Sequence, residues 1–339
     1  MSVPPPTTEH RTLPPQPASP PPAAPIPPDR VNWRDEVGLI IVYLLLFGAL
    51  TLLAWPYFHK VRNLMNILVA VSTIGIISVA MTMVIISGGI DLSIGSVVAL
   101  TGVIIAYLSH HVPMPMAIGA ALLAGAAVGA LNGAAISFAR INPLIATLGT
   151  LSIFRGLAFA FSGGLTQTIQ DTSFQFLGRG FFLRIPFPAI VMVALFIVTA
   201  WVMGSTIFGR NIYAIGGNAQ ASRLAGIAVT PMRMSVYILS GLSAALGGIF
   251  LASQLGAAAP QAAQGIELSV IAAVILGGAS LSGGKGTIWG TLLGVLIMGT
   301  LNNGLNLLHV SSYYQDVARG TVLLLAVALD QLRQRWSER

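Results

Sequence analysis

Ten apolar runs, separated by short polar stretches, order this chain: 37–55, 64–86, 93–109, 114–138, 143–162, 185–207, 234–255, 267–282, 288–308 and 316–330. Most have the length of a helix that crosses a bilayer, about 20 residues. The pattern predicts an all-α fold, a polytopic transmembrane helical bundle of about ten spans. Glycines recur inside these runs, at Gly125, Gly129 and Gly133 and again at Gly290, Gly294 and Gly299. In lipid, small residues let helix backbones approach closely, so these glycines predict tight helix packing rather than chemistry.

Composition removes the soluble classes. Hydrophobic residues make up 55% of the 339 positions and charged ones 8%, against roughly 25% charged in a soluble domain. There are no cysteines, hence no disulfide, thiolate nucleophile or Cys-ligated metal. The net charge of +7 could suggest nucleic acid, but the basic residues lie in loops between apolar runs. Arg140, Arg210, Arg223, Arg233 and Lys285 fall on the side of the termini, and Lys60, Arg62, Arg179, Arg184 and Arg319 on the other. Together with Arg11, Arg30, Arg34, Arg333, Arg335 and Arg339, that bias places both termini in the cytoplasm, with Lys60 and Arg62 pulling the other way. Residues 1–34 are Pro-rich and read as a disordered or polyproline cytoplasmic tail. The span-bearing domain then covers 35–332, and 333–339 forms a second short tail.

Three polar stretches interrupt the apolar pattern at membrane depth, where irregular backbone is tolerated only against protein or a water-filled cavity. ISGGIDLSIGS (86–96) sets Asp91 among glycines and serines. RINPLIATLGTLSIFRG (140–156) opens on Asn142-Pro143 and holds Thr147 and Arg155. LGGASLSGGKGTIWG (276–290) shares Gly-Gly-x-x-Leu-Ser with the first, at 277–282 and 88–93. The shared hexapeptide suggests two related halves, as in many transporters. Asp91, Arg155 and Glu267 are charges at or near membrane depth and so candidates for function. Each also has a structural reading: Asp91 as a helix cap beside Ser93, Arg155 snorkelling outward or pairing with a carboxylate, Glu267 flanking its helix. Asn142, Thr147, Asn302, Asn303 and Asn306 offer the neutral polar groups that a polyhydroxyl solute needs, and the three later asparagines equally suit hydrogen bonds between helices.

The polar insertion FGRNIYAIGGNAQASRLAGIAVTPMR (208–233) reads as a loop, then a short amphipathic helix over 220–224, with Gly226 as its stop before Ile227. A helix protruding from a membrane domain suits docking in a partner's groove. The same stretch also reads as an ordinary solvated connection.

Taken in order, Gly-Gly-Ile-Asp-Leu-Ser (88–93), the run from Asn142 to Gly156, Gly-Arg-Asn-x-Tyr-Ala-Ile-Gly-Gly-Asn (209–218) and Gly-Gly-Ala-Ser-Leu-Ser-Gly-Gly-Lys-Gly-Thr (277–287) resemble the ribose-type sugar ABC transporter permeases, over about 35–332. The resemblance implies a type II importer-like bundle with discontinuous or short helices in the bacterial inner membrane. Its implied partners are a second permease subunit, a periplasmic substrate-binding protein and cytoplasmic ATPase subunits. ATP and magnesium would sit on those ATPases, with no cofactor on this chain. Gly216, Asn218, Ala221, Arg223, Leu224, Gly226 and Ile227 would form the segment that couples to the ATPase. Asp91, Asn142, Thr147, Arg155, Asn302, Asn303 and Asn306 are carried as pathway or gating candidates.

Other classes fit less well. The run ending Gly283-Gly284-Lys285-Gly286 fails as a phosphate-binding loop, since Ala279 replaces its first glycine and Gly286 its Ser or Thr. The histidines (His10, His59, His110, His111, His309) lie in the tail or near span ends and form no catalytic spacing. An ion-coupled secondary transporter would need more buried carboxylates. A related permease for a nucleoside, a branched-chain amino acid or a quorum signal remains open at this stage.

Overall fold

The computed structural model describes residues 33–337, and for 33–35 and 333–337 the backbone alone. Most of the expected N-terminal tail therefore lies outside the described residues, and Trp33 and Arg34 already belong to the first helix.

In chain order the elements are α1 (Trp33–Leu53), α2 (Val61–Ile86), α3 (Ile94–Leu108), α4 (Met114–Ser137), α5 (Pro143–Ser162), β1 (Gln167–Thr168), α6 (Thr172–Arg179), β2 (Phe181–Phe182), β3 (Ile185–Pro186), α7 (Phe187–Ser205), α8 (Ile207–Gly217), α9 (Ala219–Leu224), α10 (Val229–Leu255), β4 (Ala257–Ala258), α11 (Ile266–Leu276), α12 (Ile288–Leu307) and α13 (Ser312–Ser337). Each of the ten predicted runs falls on a helix. Seven of these are long and apolar enough to cross a membrane: α1, α2, α4, α5, α7, α10 and α12. α3 and α11 are apolar but short, with 15 and 11 residues. At about 1.5 Å per residue neither reaches the roughly 30 Å of a hydrocarbon core. α13 is not among the seven, and it runs through most of the expected C-terminal tail.

α2 is the central post. Of its apolar window 83% is buried inside the chain, against 6% for α1, which lies at the periphery. α4 and α10 pack antiparallel through their glycines: an added Cβ at Gly129 would overlap the Tyr237 carbonyl, and one at Gly241 the Gly125 carbonyl. Backbone contact of this kind explains the four-residue glycine spacing. Hydroxyls join further helices, with Ser243 Oγ donating to Ile76 O at 2.5 Å and Thr82 Oγ1 2.9 Å from Thr291 Oγ1.

Three irregular stretches separate packed helices: 87–93, 256–265 and 277–287. The first and third coincide with the two Gly-Gly sequences. The stretch at 140–156 is no break; Asn142 Oδ1 accepts from Leu144 N at 2.9 Å and α5 runs on from Pro143, because proline at the first helical position needs no donor and has the right φ. The run predicted over 267–282 ends six residues early, at Leu276.

α2 and α11 terminate alike. Gly88 N donates to Ile85 O and Gly89 N to Val84 O; Gly278 N donates to Ile275 O and Ala279 N to Val274 O. Gly88 and Gly278 hold φ of 80° and 92°, the left-handed cap that glycine adopts at no steric cost. The structural match thus pairs Gly88 with Gly278, one residue off the shared hexapeptide, which would pair Gly88 with Gly277. On the face opposite these breaks, β1 pairs with β4 (Gln167 with Ala258, Thr168 with Ala257), and β2 with β3 closes a small hairpin beside α6.

Candidate functional site: a broken-helix core joined to the α8–α9 segment

The first break is held by a polar relay deep in the bundle. Asp91, 1% exposed, accepts at Oδ1 from Ser93 N (3.0 Å) and Ser93 Oγ (2.6 Å), and at Oδ2 from Ser240 Oγ (2.7 Å). Ser93 Oγ accepts from Asn132 Nδ2 at 2.8 Å, and Asn132 Oδ1 accepts from Thr150 Oγ1 at 2.8 Å. The relay therefore ties α10, the break, α4 and α5 together. Ser240 lies eleven residues into the 27-residue α10, about 16 Å along its axis, so the carboxylate is held well inside the bundle and away from the helix end. Tyr237 Oη donates to Ile90 O at 3.3 Å, and Thr147 Oγ1 approaches the same carbonyl at 3.5 Å while donating to its own Pro143 O at 2.8 Å. Buried carbonyls of irregular backbone need such donors.

The second break takes its carboxylate from elsewhere. Asp330, on α13, accepts at Oδ2 from Ser280 Oγ and Leu281 N, both at 3.3 Å. The two breaks also touch directly, with Gly284 N donating to Ile86 O at 2.8 Å. α8 is wedged against this contact. An added Cβ on Gly216 would overlap Ile86 O and lie 2.5 Å from Gly284 N, one on Gly283 would lie 2.8 Å from Gly216 O and 2.9 Å from Gly88 Cα, and Tyr213 Oη donates to Gly286 O at 2.8 Å.

α8 replaces the loop expected over 208–219. Thr206 Oγ1 caps it, accepting from Gly209 N at 3.3 Å, and Ile212 and Ile215 are buried beneath it. Its glycines serve close approach, not a turn. α9 follows: Asn218 Oδ1 accepts from Gln220 N (3.0 Å) and Ala221 N (2.9 Å). Gly226, at φ 84°, closes it as Gly226 N donates to Arg223 O and Ile227 N to Ser222 O. Ala221, Arg223 and Leu224 stand exposed and Ile227 is half-buried; Leu224 at 85% is a bare apolar side chain on a protruding helix.

The remaining sequence candidates are dispersed. Arg155 Nη1 donates to Pro260 O (2.7 Å) and Ala262 O (2.8 Å), satisfying carbonyls of the irregular 256–265 stretch. Glu267 lies beside Gly95, with one buried oxygen lacking a hydrogen-bond partner. The three asparagines of α12 each bind protein: Asn302 Oδ1 accepts from Arg319 Nε (3.3 Å), Asn306 Oδ1 accepts from Gln315 Nε2 (2.8 Å), and Asn303 exchanges two 3.0 Å amide bonds with Asn63. Asn303→Ala is expected to lower stability by about 1–2 kcal/mol, since Asn63 loses both bonds. Thermal unfolding of the single and double alanine variants checks this, the double losing less than the sum of the singles. Sequence reasoning passed over Ser240, Asn132, Thr150, Tyr213 and Asp330. For Ser240 and Asn132 the signal was present: polar side chains within otherwise apolar runs.

Two half-broken helices held by buried polar relays, beside a protruding segment, define a membrane protein built to move solute rather than to perform chemistry on it. The chain belongs to the family described as branched-chain amino acid transport system / permease component, whose model matches residues 63–327. It is thus a multi-pass membrane permease component, a transport subunit and not an enzyme. It is 42% identical over 328 residues to the L-arabinose ABC transporter permease protein of Azospirillum brasilense, covering 94% of this chain and 96% of that protein. It is 47% identical over 279 residues to the ribose import permease protein of Bacillus subtilis (81% and 87% covered), and 43% identical over 307 residues to that of Escherichia coli K12 (89% and 95%). No solved structure matches the chain.

Proposed function

We propose that this chain is the membrane-spanning subunit of an ATP-driven importer for a monosaccharide or similar polar solute, lying in the inner membrane with both termini cytoplasmic. It works with a second permease subunit, receives solute from a periplasmic binding protein, and is driven by cytoplasmic ATPase subunits that carry the ATP and magnesium. The sugar class rests on the relatives, two kinds of which are named for L-arabinose and ribose. The drive rests on one observation: Gly216, near the end of α8, touches both broken helices, while α9, which follows Asn218, leaves Arg223 and Leu224 exposed. A push on α9 from an ATPase would therefore reach the two irregular segments through α8 alone. Alternating access follows if that push shifts the breaks between two packings.

The test is ATP hydrolysis by the chain assembled with its ATPase in nanodiscs, with and without a loaded binding protein, across a panel that includes L-arabinose and ribose. Loaded binding protein is expected to stimulate hydrolysis. Arg223→Glu and Gly226→Pro are expected to abolish the stimulation while the complex still assembles, because proline can neither adopt φ 84° nor donate the cap hydrogen bond. Uptake that follows a proton or sodium gradient, with no ATPase associated, would overturn the reading.

A further inference from the structure

At the inner ends of α4, α5 and α10 a cavity of about 330 Å³ opens beneath the first break, with Gly88, Ser137, Arg140, Asn142, Arg223 and Arg233 in its wall. Three arginines line it and no aspartate or glutamate does. Among the described residues, the one side-chain ion pair is Arg319 with Asp316, elsewhere in the chain, so none of the three has a carboxylate partner. Two further observations favour an anion. The Ser137 hydroxyl is buried with no hydrogen-bond partner. The N-terminus of the 20-residue α5 opens at Asn142-Pro143 in the same wall, presenting the positive end of its dipole. The last turn of α4 also borders the space, but its partial negative charge is about half a unit against three guanidiniums.

We infer that this cavity binds a phosphate group. Three guanidiniums and a hydroxyl offer more donors than the two oxygens of a carboxylate can accept, whereas a phosphate brings three or four acceptor oxygens and suits arginine geometry. The volume holds a headgroup-sized glycerol phosphate or a free phosphate ester, not an acyl chain. At the cytoplasmic ends of membrane helices either source is at hand: an anionic lipid headgroup or a soluble phosphate ester. Because Arg223 belongs to α9 and Gly88 to the first break, a bound phosphate bridges the coupling segment to the broken core. That regulatory consequence rests on the proposed coupling role, whereas the binding site itself does not.

The test uses the full-length chain alone, without an ATPase, in phosphatidylcholine nanodiscs, so its failure is separate from failure of the coupling reading. One arm adds phosphatidylglycerol and counts retained lipid by native mass spectrometry. The other titrates glycerol 1-phosphate and inorganic phosphate, followed by phosphorus NMR. Saturable binding of one equivalent is expected in at least one arm, and the arm that responds identifies the source. The Arg140→Gln/Arg233→Gln double variant is expected to weaken it by about tenfold or more, the loss of roughly 1.4 kcal/mol or greater, while Arg210→Gln, outside the cavity, leaves it unchanged. Should the double variant fail to assemble, Arg223→Gln, on the exposed α9, is expected to weaken binding several-fold. No binding in either arm, or equal binding by an assembled double variant, overturns the assignment.

Discussion

Replacing Asp91 with alanine is expected to lower the stability of the nanodisc-embedded chain by about 3–5 kcal/mol, the penalty for stripping buried donors of a charged acceptor. Ser93 N, Ser93 Oγ and Ser240 Oγ all point at its two oxygens within 3.0 Å, and the residue is 1% exposed, so no water replaces them. The loss propagates, since Ser93 Oγ is also the acceptor for Asn132, and Asn132 for Thr150. Asp91→Asn should cost about a third as much. Its amide oxygen keeps the Ser93 contacts, and its NH2 group faces a serine hydroxyl that can turn to accept. Melting midpoints of the two variants, read by fluorescence-detected size-exclusion chromatography, check this. A wild-type midpoint for Asp91→Ala would mean that the carboxylate does not hold the break, leaving solute or gating contact as the reason for a buried carboxylate there.

The helices were legible in the sequence because lipid forces every spanning segment to satisfy its own backbone, and a run of apolar residues leaves the helix as the only solution. An end was legible where a left-handed glycine marked it, as at Gly226, whereas Asn142-Pro143, the capped start of α5, read as an interruption. The pattern misled at α8, where the stretch holding Gly209, Gly216 and Gly217 read as a loop but Ile212 and Ile215 carry a buried helical face. A glycine chosen for close approach and one chosen for a turn look the same in one dimension. The same ambiguity displaced the internal match by one residue. The hexapeptide aligns identical letters, whereas the backbone aligns the two left-handed caps at Gly88 and Gly278. It also hid Asp330: the first break carries its carboxylate three residues after its cap, the second borrows one from a helix some 50 residues away in sequence, and no local pattern can announce that. The α12 asparagines, equally suited by type to a solute path or to helix pairing, are all engaged with protein side chains, and only the fold could show it.

Gly216→Ala should have the largest effect on transport of any single methyl group added to the chain. Its Cβ would meet backbone on two sides, the Ile86 carbonyl and the Gly284 amide, which are themselves hydrogen-bonded to one another at 2.8 Å. Neither is a side chain that can swing away, so relief requires α8 to retreat from both breaks. Overpacking of this kind costs about 1–3 kcal/mol in stability, which a helical membrane bundle of this size can survive, but the retreat opens the very contact through which a movement of α9 reaches the broken helices. Gly217→Ala is the matched control: a Cβ there meets nothing within 4 Å, and its greater helix propensity, about 1 kcal/mol at most, makes it neutral or mildly stabilising. Uptake and binding-protein-stimulated hydrolysis should therefore fall at least about tenfold in Gly216→Ala, equivalent to roughly 1.4 kcal/mol of lost coupling, and remain near wild type in Gly217→Ala. If both variants transport normally, α8 is a passive spacer and the force must enter the bundle by another route, of which the α9–α10 connection around Ile227 is the nearest.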